Sequence, residues 1–127
     1  MTGFARTLSA RNARNGAPLG DRIATADRML SRMRGLLARP ELRPGEGLLI
    51  TPCSGIHTWF MGYGIDVAFV DKSGRIVGIR RCIRPFRLVP HVRGAHRALE
   101  LPCGTLERAD VTIGDLIEFD EAQESAA

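Results

Sequence analysis

Between Cys53 and Asp71 the chain gathers side chains able to do chemistry: Cys53, His57, Trp59, Tyr63 and Asp66. Asp66 stands alone inside the apolar run Ile65 to Val70. A carboxylate in such a run must be hydrogen-bonded or put to use, because burying it unpaired is costly. Three chemistries suit these types: general-base catalysis by His57 or Asp66, with Glu100 as a further carboxylate; thiolate chemistry at Cys53 or Cys103; and recognition, in a cleft walled by His57, Trp59, Tyr63 and Asp66, of a small molecule or an extended peptide.

Spacing weighs these against one another. Cys53 and His57 share a strand face, but four residues at ~3.3 Å each separate their Cα atoms by about 13 Å, too far for ligands converging on one ion. No metal and no cofactor is therefore expected. For a His57–Asp66 pair, register decides. If Gly62-Tyr63-Gly64 is a three-residue hairpin loop, His57 faces Phe69 and Asp66 points to the opposite side; a two-residue loop would bring His57 diagonally near Asp66. The glycine at the third loop position favours the first register, in which Asp66 accepts backbone N–H bonds. At Cys103 the nearby Glu100 disfavours a thiolate, and nothing in the sequence marks a Cys-His partnership.

The elements that must position these residues read as mainly β. Short runs at 48–51, 56–61, 65–70, 75–83, 96–101 and 116–119 are separated by Gly, Pro and Asp turns, the rhythm of an antiparallel jelly-roll-like sandwich or a partly open barrel. Asp71-Lys72-Ser73-Gly74 is a hairpin signal, with Ile65, Val67 and Phe69 on one covered face and Ala68 and Val70 on the other. Met29, Met33, Leu36 and Leu37, at helical spacing before Pro40, predict one helix over 26–38 in the N-terminal half. Residues 1–20 read as an extended arm or edge strand, 21–120 as a single β-rich domain, and 121–127 as a polar tail.

At 127 residues and 44% hydrophobic, the chain can bury one core without staples. Three cysteines at wide spacing, Cys53, Cys82 and Cys103, argue against a disulfide framework and a zinc ribbon, so a reducing, cytoplasmic setting is expected. No apolar stretch has the ~20 residues of a membrane span. Net charge runs +6, +5 and −7 over residues 1–39, 40–99 and 100–127. The segment with Arg80, Arg81, Arg84 and Arg87 could meet phosphates, but it lacks repeated aromatics for stacking, so nucleic acid is not the favoured partner. A solvated loop partly neutralised by the acidic C-terminus fits better.

Arg32 with Gly35-Leu36-Leu37-Ala38-Arg39, Gly47-Leu48-Leu49-Ile50, Ile56-His57-Thr58, Ile65 to Asp71, Gly74-Arg75-Ile76-Val77, Pro85, Leu99-Glu100-Leu101-Pro102 with Gly104, and Ile113-Gly114-Asp115 form an ordered set. Over roughly residues 22–119 the chain resembles an uncharacterised prokaryotic family, number one-nine-two in the domain-of-unknown-function series. The resemblance implies a mainly β, jelly-roll-like sandwich with one helix, and brings with it no established activity, cofactor or substrate. Two functional readings follow: a binding or accessory domain without catalysis, in which His57, Trp59, Tyr63, Asp66 and Glu100 contact the ligand, or a small hydrolase using His57 or Asp66 as general base. Convergence of His57, Asp66 and Glu100 on one pocket would favour the hydrolase.

Overall fold

Every position of the run Ile65 to Val70 is buried, which requires a strand with neighbours on both sides and cover on both faces. The computed structural model, which describes residues 7–27, 41–58 and 62–121, supplies both. The strands are β1 Thr7–Asn12, β2 Pro18–Ala26, β3 Glu46–Ile50, β4 Ile56–His57, β5 Ile65–Val70, β6 Ile76–Ile83, β7 Leu88–Val89, β8 Arg97–Pro102 and β9 Ile117–Glu121, with one helical turn, α1 Thr105–Arg108, after β8. Seven form one sheet in the order β6-β5-β8-β3-β2-β1-β9; β4 and β7 form a separate two-stranded ribbon. All pairings are antiparallel except β2 with β3.

Alternation along the strands makes two cores from one sheet. Leu49, Ala68, Val70, Leu99 and Leu101 point inward, with Ile23, Leu106, Val111 and Ile117. Leu48, Ile50, Ile65, Val67, Phe69 and Ala98 point the other way, against Cys53, Ile56, Val89 and Val92. The expected division of β5 is thus the observed one. Its hairpin to β6 closes on Asp71, whose Oδ1 accepts the N–H of Ser73 at 2.9 Å and of Arg75 at 3.0 Å, while Gly74 sits at φ +96°, a conformation side-chain-bearing residues avoid.

The sheet curls until its edges meet at one end. Arg75 bridges Leu116, and Ile76 N–H donates to the Asp115 carbonyl at 2.8 Å. This is a partly open barrel, mainly β in content. β2 carries no strand periodicity in its sequence, because its polar residues Asp21 and Arg22 break the apolar alternation, and β1 is an interior strand where an arm or edge strand is expected. β1 lies between β2 and β9, since the C-terminal strand returns to cover it. The expected helix lies outside the described residues from Arg28 onward; Ala26 still belongs to β2.

A polar latch holds the closed end. Asp115 Oδ1 accepts Arg14 Nε–H at 2.9 Å, and its Oδ2 accepts both the side-chain amide of the fully buried Asn12 and the Thr112 N–H at 2.9 Å. Chiefly through the Arg14 guanidinium, and against the burial that opposes it, the Asp115 carboxyl is held well below the usual carboxylate range. A carboxyl depressed in the fold contributes stability that is complete above its unfolded pKa, near ~4, and is lost as pH falls from there toward the folded value. The urea midpoint of the wild-type chain should therefore drop on acidification through this window, and Asp115→Asn, already weaker at neutral pH, should show a shallower drop. Parallel acid profiles for the two proteins would contradict the latch.

Candidate functional site

Asp66 is the centre of the region singled out in the sequence. In the β5–β6 pairing Ile65 stands opposite Ile83 but Val67 opposite Arg80, so β6 carries one extra residue across from Asp66. Cys82, in that bulge, has φ +47°. A bulge leaves an N–H without a ladder partner, and Asp66 supplies the acceptor: its Oδ1 takes the Cys82 N–H at 2.8 Å. Its Oδ2 takes the Leu106 N–H at 2.9 Å, in α1. The carboxylate is fully buried and ties β5, the β6 bulge and the turn after β8 together.

A covalent bond reinforces the same joint. Cys82 and Cys103 form a disulfide, with Cα atoms 4.9 Å apart. This corrects the expectation of no disulfide: wide sequence spacing said nothing about the fold bringing the bulge against the Pro102–Gly104 turn. With that bond, cysteine number no longer argues for a reducing cytoplasm. Asp66, Cys82 and Cys103 do place three ligand-type atoms within 4.8 Å of one another. The two sulfurs are joined, however, and both oxygens of Asp66 already accept N–H bonds, so the cluster is a structural joint. The remaining thiol, buried Cys53, donates to the Gly55 carbonyl at 3.0 Å.

Neither hairpin register expected for His57 and Asp66 is formed. β5 is flanked by β6 and β8, so β4 cannot pair with it, and pairs with β7 instead. His57 stands opposite Leu88, both exposed, while Ile56 and Val89 on the other side of the ribbon are buried. Gly55 permits this approach: a Cβ there would lie 2.7 Å from the Val89 carbonyl oxygen. Glu100, buried on β8, is in register with Leu48 and Val67, which belong to the outer core; Asp66 is in register with Leu101, which faces inward. The two carboxylates therefore occupy opposite faces. Tyr63 is partly buried against the outer core. Trp59 lies outside the described residues. Three clefts on the described surface, one of them of about 630 Å³ lined by Val77–Arg81 and Val111–Ile113, are lined by none of His57, Tyr63, Asp66 or Glu100.

Thr58 does work that the sequence did not announce. Fully buried, it bonds the chain between β6 and β7 at four points: its N–H donates to the Arg87 carbonyl (2.9 Å), its hydroxyl donates to the Arg84 carbonyl (2.6 Å) and accepts the Arg87 N–H (2.9 Å), and its carbonyl accepts the Phe86 N–H (3.0 Å). The tip so fixed exposes Phe86 and Leu88. Three of the acids after Glu100 pair elsewhere: on β9, which pairs with β1, Glu118 meets Arg11 at 3.2 Å, while Asp110 and Asp115 meet Arg14.

Residues 10–119 match the model of the family DUF192, described as "Uncharacterized ACR". The chain belongs to this family. A UPF0127 protein of Thermococcus sibiricus is 32% identical over 123 residues, covering 91% of this chain and 77% of that protein. Another, of Pyrococcus abyssi, is 30% identical over 104 residues, covering 77% and 86%. The fold is similar to a crystal structure from Sinorhizobium meliloti, provisionally titled a transcription regulator (TM-score 0.76, 23% identity, 92% and 95% of the two chains). It is also similar to a protein of unknown function from Novosphingobium aromaticivorans (TM-score 0.72, 20% identity, 88% and 83%). At these identities the structural likeness is one of fold. Within the DUF192 match, the geometry assigns three of the recognised residues to joints: Asp66 to the bulge, Gly74 to the hairpin and Asp115 to the latch.

Asp66→Ala should cost about 1–3 kcal/mol for each of the two orphaned N–H groups. Cys103→Ser should cost about 3 kcal/mol, for a loop closed over 21 residues. Chemical denaturation of the oxidised proteins measures both. Wild-type stability in Asp66→Ala would remove the carboxylate from its structural place.

Proposed function

We propose that this domain binds rather than transforms its ligand, a small molecule or an extended peptide held on the outer sheet face that carries Glu100 and Tyr63, with His57 at its margin. The observation behind this reading is the occupancy of Asp66: the carboxylate best placed by sequence to be a general base is buried and bonded through both oxygens to backbone N–H groups. It also faces away from Glu100. A hydrolase would need a base and a partner group in one solvent-reached place. The outer face instead offers an aromatic and one buried carboxylate in an apolar wall, the composition of a recognition surface.

In a thermal-shift screen of metabolites and peptides, any ligand that raises the melting temperature of the wild-type chain should lose its effect in Glu100→Gln or His57→Ala. It should keep the effect in Asp66→Asn, at a lower baseline. Loss confined to Asp66→Asn, or turnover of the stabilising compound, would reverse the assignment.

A further inference from the structure

Cys82 and Cys103, joined to each other, are both exposed, whereas the third cysteine, Cys53, is buried. An exposed disulfide lies within reach of an external thiolate; a buried one does not.

Two features set this bond apart from a passive staple. The first is what still holds its two sides when it is cut. Asp66 Oδ1 accepts the N–H of Cys82 itself at 2.8 Å, and its Oδ2 accepts the N–H of Leu106, three residues beyond Cys103, at 2.9 Å. The Thr105 hydroxyl donates to the Pro102 carbonyl at 2.7 Å and closes the turn that carries Cys103. Both backbones are thus anchored to one carboxylate without help from the sulfurs, with the Cα atoms 4.9 Å apart, a separation a disulfide accepts. The second feature is a cation. The Arg108 guanidinium lies against Gly104, the residue after Cys103, with Nη1 2.9 Å from where a Cβ would stand. Among the described residues no carboxylate pairs with Arg108. A positive charge beside a cysteine favours its thiolate and makes it the better leaving group. Glu100, near Cys103 in sequence, lies on the opposite face of the sheet from Asp66.

We propose that Cys82 and Cys103 are a reversible dithiol–disulfide couple that exchanges electrons with external dithiols. A thiolate of the external dithiol attacks Sγ of Cys82, the S–S bond breaks, and Cys103 leaves as a thiolate beside Arg108. The second thiol of the reductant then displaces Cys82 from the mixed disulfide. The reductant has lost two electrons and become a disulfide, and its two protons end on Cys82 and Cys103. Asp66, within 4.8 Å of both sulfurs, is a positioning residue that keeps the reduced pair face to face for the reverse step. This joint carries none of Glu100, Tyr63 or His57, so the inference goes beyond the binding reading above.

The test exposes the folded, oxidised full chain to dithiothreitol without denaturant, traps free thiols with iodoacetamide and locates them by mass spectrometry. Cys82 and Cys103 should be labelled together while Cys53 stays unlabelled, the circular dichroism should keep its β signature, and glutathione disulfide should restore the bond. Arg108→Gln should slow reduction about fivefold, because the leaving thiolate loses its cation. In Asp66→Asn, which gives up one backbone acceptor, the glutathione equilibrium should move about tenfold towards the dithiol form, because the two thiols face each other for less of the time. Three results would each overturn the proposal. One is a bond that resists millimolar dithiothreitol until urea unfolds the chain. Another is labelling of Cys53 as fast as the other two, which marks reduction through global unfolding. The third is an unchanged rate in Arg108→Gln together with an unchanged equilibrium in Asp66→Asn, which marks an ordinary exposed staple.

Discussion

The Asp66 carboxylate is the contact on which the rest of this architecture rests. A strand bulge and a helical turn each present a backbone N–H that the sheet ladder cannot satisfy. One buried side chain answers both. With that acceptor present, β6 can bend at Cys82, and Cys103 comes within reach of it across the turn that follows β8. Hydrogen bond and disulfide then restrain the same displacement. The carboxylate fixes the local direction of the chain, whereas the covalent link limits how far the two segments part if the local packing opens.

Curling one sheet so that both its faces are covered explains why a chain of this size builds two cores. The inner core is closed by α1 and the returning β9; the outer one is covered by irregular segments and the β4–β7 ribbon. Polar side chains inside this arrangement have sharply different duties according to face. Asp66 and Asp115 satisfy backbone and side-chain donors at joints, while Glu100 and Tyr63 belong to the face over which the ribbon hangs.

Alternation and turn chemistry made much of this legible in the chain itself. The β5–β6 hairpin, the division of β5 between two faces and the β content follow from Ile65 to Val70 and from Asp71-Lys72-Ser73-Gly74, where local rules and tertiary structure agree. What was not legible is long-range. The Gly62-Tyr63-Gly64 segment reads as a hairpin loop because adjacent strands usually pair, yet β8 takes the position beside β5, and hydrogen-bonding capacity there is exhausted. Cys82 and Cys103 likewise carry no local sign of partnership, since their proximity is created by a bulge invisible to strand periodicity. Thr58 looked like a strand residue beside a candidate histidine; only the return of the chain at Arg84–Arg87 reveals it as a buttress.

Closure at one end only leaves β6 as an edge strand along its later residues. Such an edge is a template on which a second chain could add a strand, the usual beginning of aggregation. Arg80, Arg81 and the bulge at Cys82 fall on that stretch. Charge repels a like edge, and the bulge spoils the regular spacing a partner would need. The same deformation that Asp66 stabilises therefore has a colloidal consequence: it helps keep separate molecules of this protein from zipping together.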